Sequence, residues 1–333
     1  MAVSQRVGRR IRARPAVAVH APLRTLVARA LAIDPAETSF ARRGFAACPD
    51  ETRARLEAHG LAFVRGFNSG LSHDPAGEFD RAARAVAAAE RGFAYEGAAM
   101  AYALLDLLVP RRRRRLGALL DAGGSGHVYM IHVGAGWALA RLRRRPFGRL
   151  RLHPLLQWLA VDGFGFHEGF FRPGRFVRGR ARHPRVRGYG RNVFDQGLGR
   201  SLWFVDAADP ERIGATISAF APERRADLWS GVGLAAAYAG AAGAADLERL
   251  RAIASGYTAH LAQGAAFAAT ARARAGNVVA ETELGVRILC GRSIESAAQV
   301  VTQTCPAVRA ADEKGRAYKD WRGAIRDSLG AAA

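Results

Sequence analysis

His167 and Glu168 stand side by side in DGFGFHEGFF, and an imidazole next to a carboxylate is a pairing used for general acid–base transfer and for iron or zinc ligation. Neighbouring residues on a helix point about 100° apart, so the two would seldom hold one ion together. Hydrogen bonding to local backbone at a helix start is the competing account. Asp195 in RNVFDQG also has a local explanation, because Asn192 is placed to cap a helix with an acid three residues on. Gln196 and Arg200, in the same stretch FDQGLGRSLWFV, have none. The candidate catalytic side chains are therefore His167, Glu168, Asp195 and Arg200. Candidate ligand contacts are Glu96, His132, Trp137, Gln196, Trp203 and Trp229, the tryptophans reading first as core or cavity wall. If a metal is bound, its ligands are Glu96, His132, His167 and Glu168, since spacings of about 35 residues place groups on successive helices, as metal sites in bundles require. No cofactor can be named.

Glycine supplies the pattern that would position these groups. Aligning RGFNSGL, EGAAMAYAL, VGAGWALA, EGFFRPG, QGLGRSLW, SGVGLAAAYAG and QGAAFAATAR on Gly66, Gly97, Gly134, Gly169, Gly197, Gly231 and Gly264 gives intervals of 31, 37, 35, 28, 34 and 33 residues. A period of that size is one helical hairpin. Small residues recur four positions after the glycine, which lets another helix approach closely. Amphipathic runs such as PERIGATISAF and DLERLRAIAS fall between. Period-2 alternation is scarce, so strands fit poorly. The expected fold is all-α, an array of six to seven hairpin repeats in a solenoid or α/α toroid, forming a single domain over residues 25–325. Chance matches in a chain rich in Ala and Gly are the alternative. Pro173 breaks the pattern in the fourth unit, where no helix can continue. In a curved or closed array the residue before each glycine and the residue three after it share a face. That face would line a hollow and gather Glu96, His132, His167, Glu168, Asp195 and Arg200.

Between the fourth and fifth units lies RPGRFVRGRARHPRVRGYGR, residues 172–191, with eight arginines and no acid. It reads as an irregular loop, and Arg175, Arg178, Arg180, Arg182, Arg185 and Arg187 are candidates for holding an anion or an acidic partner surface. A weaker arginine run occupies 111–115. The formal charge of the chain is +21, which would ordinarily point to nucleic acid or anionic membrane. The basic residues are almost all Arg, with Lys314 and Lys319 the only lysines. That bias accompanies the abundance of Ala and Gly, and no zinc-finger spacing or RNP-like motif goes with it, so nucleic acid is not expected as a partner. Residues 1–24 read as a basic arm. No window is long and apolar enough for a spanning helix, and Cys48, Cys290 and Cys305 are too scattered for a disulfide framework or thiolate metal site. A cytoplasmic protein with at most peripheral membrane contact, through a partner, is expected. No G-x-S-x-G elbow, Walker loop or dinucleotide fingerprint occurs in a usable context.

The segments GAAMAYALLDLL, HVYMIHVGAGWALARL, DGFGFHEGFF, FDQGLGRSLWFV, DLWSGVGLAAAYAG and LAQGAAFAATARARAGN together resemble domain of unknown function 1702, the UnbL-type proteins of enediyne antibiotic gene clusters. The resemblance runs from about residue 20 to about residue 325, along the ungapped stretches quoted. It implies an accessory role in enediyne biosynthesis beside an iterative polyketide synthase that makes a polyene, and it carries no catalytic residues with it. Three functions remain open. The first is binding and processing of a polyene or polyketide-derived intermediate in a hollow lined by Trp137, Phe170, Phe171 and Trp203. The second is a non-catalytic scaffold that docks a carrier domain of the synthase, another accessory protein or a membrane partner through the basic loop. The third is a metal-dependent oxidase using the histidines and glutamates.

Overall fold

A computed structural model describes residues 26, 28–72, 77–108, 114–143, 150, 152–308, 312 and 314–330. The basic arm at 1–24 and Arg111 to Arg113 lie outside the described residues. Every regular element among the described residues is helical. Seven long helices follow one another: α1 (Asp50–Ser72), α2 (Ala88–Leu108), α3 (Val128–Arg141), α4 (Trp158–Phe171), α5 (Gly190–Val205), α6 (Pro222–Ala239) and α7 (Thr258–Ala275). Each packs on the next, and α8 (Arg316–Gly330) packs on α7. The middle of this row is buried all round: residues 92–107 of α2, 158–170 of α4 and 193–205 of α5 are each buried without a break. A helix apolar on every side needs cover on every side. Shorter helices such as Pro210–Ser218, Ala244–Ile253 and Ala280–Cys290 pack on one another and on α6 and α7, covering that end of the row.

The helices meet backbone to backbone. A Cβ on Gly134 would strike the carbonyl oxygen of Glu96, and the same holds for Gly163 on Val133, Gly197 on Asp162, Gly231 on Gln196 and Gly264 on Ser230. A second glycine two residues on meets the following helix: Gly136 on Ala160, Gly165 on Phe194, Gly199 on Leu228 and Gly233 on Leu261. Only glycine lets main chains approach this closely, where Cα–H groups face carbonyl oxygens. The matching residue of α4 is therefore Gly163. Gly169, which the sequence alignment selected, instead meets the Ser201 side chain, and Gly66 meets Ala94 ahead of it rather than a helix behind it. Pro173 then falls just after α4 and interrupts nothing.

The two ends of the row are tied together. Arg272 on α7 donates to the carbonyls of Ala88 and Ala89 at the start of α2, each at 2.9 Å, and Asn277 donates to Ala88 at 3.1 Å. His59 on α1 donates to the Ala239 carbonyl at the end of α6, and Arg55 pairs with Glu281.

Residues 31–47 run as a strap across α1, α3 and α5. Asn68 bonds both the N–H and the carbonyl of Ile33 (3.0 and 2.9 Å), Arg141 donates to the Leu31 carbonyl, Glu57 accepts from the Phe40 N–H, and Ala46 donates to the Val205 carbonyl. The basic segment at 172–191 is less irregular than its composition implies. It forms a π-helical turn at Gly174–Arg178 and is pinned by buried Phe176, Val177 and Val186.

Candidate functional site: an aromatic slot beside a buried polar string

The residues that precede the close-packed glycines point toward the middle of the molecule, where they meet one another. Asp162 on α4 accepts from Gln196 Nε2 on α5 at 2.7 Å and from Arg200 at 2.5 Å. Ser230 on α6 donates to Gln196 at 3.3 Å and to Gln263 on α7 at 3.1 Å. Arg322 of α8 donates to Gln263 at 3.2 Å and pairs with Asp227 at 2.9 Å. This string is buried from end to end, and buried polar groups persist where partners hold them. A second closed unit lies beside it: Arg224 grips both carboxylate oxygens of Asp195, at 2.8 and 2.6 Å. Burial still raises the Asp195 carboxyl above its ordinary value, against the opposing pull of Arg224. Asn192 does not cap α5, which begins at Gly190. Its amide reaches across to Asp227 at 2.8 Å, so the capping-box reading of RNVFDQG does not hold.

At the near end of the string an aromatic slot opens between α1, α2, α3, α4 and α5, with Ile33, Glu37 and Thr38 of the strap lying over it. Its walls are Phe63, Phe93, Trp137, Phe166, Phe170 and Phe204. Trp137 stacks at 4.3 Å from Phe63 and 5.2 Å from Phe166, ring centre to centre. The cavity left between these side chains is about 40 Å³, room for only a few waters. Besides Glu37 and Thr38 of the strap, the helices bring four polar side chains to the slot: His59, Glu96, Trp137 and Arg200. Glu96 Oε1, Trp137 Nε1, Arg200 Nε and His59 Nδ1 are all buried without a hydrogen-bond partner. Glu96 is only 2% exposed, and burial pushes its carboxyl up to about 7; the Arg200 charge pulls it down, Asp162 pushes it up, and the nearby Trp137 indole, short of good hydrogen-bond geometry, lowers it slightly. Arg200 stays charged, because Asp162 and Glu96 outweigh its own desolvation, and its guanidinium lies 5.0 Å over the Phe166 ring. His59 donates through Nε2 to Ala239, and burial holds it neutral, with a pKa of about 4. Arg200 also lines a second apolar slot, of about 30 Å³, between α3, α6, α7 and α8.

The other residues singled out in the sequence go elsewhere. His132 has both ring nitrogens engaged, with Val128 at 2.7 Å and the His153 N–H at 3.0 Å; it is a core histidine lowered to about 4 by burial. Trp203 is in the core and donates to the Gly240 carbonyl at 2.9 Å, and Trp229 is buried in α6. His167 Nδ1 lies 3.4 Å from Glu168 Oε1, with Arg172 on the other carboxylate oxygen at 3.0 Å. Burial lowers the imidazole. Burial would raise the Glu168 carboxyl, but the His167 ring and the Arg172 charge bring it below its ordinary value. Of the six residues pictured around one hollow, only Glu96 and Arg200 line the slot. Among the described residues no group of three His, Cys, Asp or Glu side chains could hold a metal, and Glu96, His132, His167 and Glu168 are not brought together.

The loop arginines divide as well. Arg175 and Arg185 join Arg143, Arg172 and His183 around a surface cleft that contains Glu168. Arg182 pairs with Glu223 at 2.8 Å. The Arg180 carbonyl accepts from Arg224, while Arg178 and Arg187 are exposed outside the cleft. Asp162, Arg224, Arg322, His59 and most of the aromatic wall were not singled out from sequence. One signal for Asp162 was present: VGAG, DGFG, QGLG and SGVG, at 133–136, 162–165, 196–199 and 230–233, share the Gly-x-Gly that touches both neighbouring helices.

Fold and site together define an all-helical protein built around an enclosed aromatic slot with a single unpaired carboxyl group. Residues 22–329 match the family described as Protein of unknown function (DUF1702), and the chain belongs to that family. No curated protein and no solved structure matches it. No helix among the described residues is long and apolar enough to cross a membrane.

Proposed function

We propose that the protein binds an elongated, flat, largely apolar small molecule in the slot between α1 and α5, with Glu96 and Arg200 meeting its polar part. The observation that carries this reading is the set of buried, unpartnered polar atoms, Glu96 Oε1, Trp137 Nε1 and Arg200 Nε, inside an aromatic wall. Burying polar atoms without partners costs about 1–3 kcal/mol each, and a ligand that supplies partners recovers that cost. Ligand sites are mostly apolar with a few fixed polar groups. We read the seven helices with their outer connections as an array of hairpin repeats closed on itself, since each glycine contact joins neighbours and Arg272 joins the ends. A conjugated polyene of the kind that the enediyne resemblance implies would lie between the rings of the slot once the aromatic side chains and the strap move apart to widen it.

The test is titration with cis-parinaric acid, a conjugated tetraene that fluoresces when held in an apolar site. Saturable enhancement that is lost in Val64→Phe, which fills the slot, is the expected result. Enhancement unchanged by that substitution would sink the reading. A second reading, docking of an anionic group, is favoured by the cleft of Arg143, Arg172, Arg175 and Arg185. It predicts that Arg175→Glu with Arg185→Glu weakens partner binding in a salt-dependent way.

A further inference from the structure

Glu96 is the one carboxyl group in the slot's apolar wall that no cation holds directly. Arg200 spends a guanidinium N–H on Asp162 and keeps its Nε–H free. Trp137 turns its indole N–H toward Glu96, short of good hydrogen-bond geometry, and gives it to no other group. His59, the remaining polar group of the wall, has its one N–H on Ala239 and presents a lone pair 3.9 Å from Glu90, so it adds no donor. The slot therefore offers one oxygen able to take a proton and two N–H groups able to receive a developing oxyanion, all away from bulk water. Preorganised donors in a dry site are what enolate-forming chemistry requires, and an acid or base of near-neutral pKa moves protons best at neutral pH.

We propose that the slot is an acid–base site that shifts a carbon–carbon double bond into conjugation with a carbonyl group, with Glu96 carrying the proton. This rests on the ligand-binding reading above and names its substrate class, an unsaturated ketone or acyl chain. The Glu96 carboxylate takes the proton from the carbon between carbonyl and alkene. The electrons of that C–H bond become a new double bond, and the carbonyl oxygen takes up the charge of the dienolate, facing the N–H groups of Trp137 and Arg200. Glu96 then returns the proton to the far carbon of the old alkene. One C–H bond breaks and another forms, the proton lost from one carbon is replaced on the other through Glu96, which can exchange it with solvent in between, and nothing is oxidised or reduced. Glu96 is the catalytic residue, and Trp137 and Arg200 are the oxyanion donors.

The experiment incubates the full chain with a straight-chain methyl ketone whose double bond lies one carbon out of conjugation, in D2O. It follows the ultraviolet band of the conjugated enone and deuterium uptake by mass spectrometry, while displacement of cis-parinaric acid reports ketone binding. The expected result is turnover above the protein-free rate. Glu96→Gln should lower kcat by at least about 100-fold, with a far smaller change in KM. Trp137→Phe, which keeps the ring and deletes the donor, should lower kcat by about 10-fold or more. If cis-parinaric acid binds and the ketone displaces it without isomerisation, or if Glu96→Gln turns over at the unsubstituted rate, the acid–base assignment is overturned and binding stands. If the ketone fails to displace the probe, the substrate class is wrong. If cis-parinaric acid itself finds no slot-dependent site, both readings fall together.

Discussion

The Asp195–Arg224 pair and the Glu96 slot are both buried, and they treat charge in opposite ways. Asp195 has both oxygens bound by one guanidinium. Glu96 lies among phenyl and indole rings with an oxygen that no donor reaches. The first arrangement is the one structure needs, since a buried charge without its partner is strongly destabilising. The second has no structural return, so the slot is one of the places where the fold carries the cost of unpartnered polar atoms.

The sharpest way to break this comparison is to disturb the register that separates the two regions. Gly197→Val forces a side chain into the main chain of α4 at Asp162, and we expect no folded protein, seen as loss of a cooperative thermal transition. Arg224→Met should cost about 3–5 kcal/mol by leaving Asp195 buried and unpaired, measured by urea unfolding. Glu96→Gln should do the reverse. With its carboxyl raised to about 7 from an ordinary 4.5, the native state keeps a proton that the unfolded chain releases, so stability falls as pH rises across that window. The variant loses this penalty and should gain up to about 3 kcal/mol at pH 7 and above, and nothing below pH 4.5. Arg200 and Asp162 are the charges that set the window. His59, His127 and His132 work in the other direction. Burial lowers each to about 4, so both proteins should lose stability as pH falls from 6.5 toward 4. Urea midpoints at pH 4.5, 6 and 7.5 separate the two trends. Arg182→Glu, at the exposed Glu223 pair, should change stability by less than about 1 kcal/mol.

How much of this was legible in the sequence varies by element. The helices and the use of glycine as a packing device were, because backbone contact between helices excludes every other residue. The register on α4 was not, because EGFF and DGFG lie six residues apart and both match a single-glycine template; only the second glycine, which meets the following helix, distinguishes them. A register set on Gly169 puts His167 and Glu168 in the place held by Asp162, the acid that anchors Gln196 and Arg200. Glu96 and Arg200 were found because they share the face beside the glycines. Arg322 and Arg224 were not, since the partners they hold lie 59 and 29 residues away in sequence and no local pattern encodes such reach. The aromatic wall draws on five helices, a convergence set by packing that no single segment carries.

The contacts at Gly134, Gly163, Gly197 and Gly231 also have a mechanical consequence. Helical interfaces usually yield by rotamer changes, but where main chain rests on main chain there is no rotamer to change, and the frame around the slot is stiff. The strap at 31–47 is fixed differently, by the paired bonds of Asn68 to Ile33, by Glu57 and Arg141 on its backbone, and by the rings of Phe40 and Phe45. Main-chain compliance is thus confined to one edge of the slot. On the ligand-binding reading proposed above, a guest would enter by way of the strap, and the rings of the wall would have to turn to make room for it.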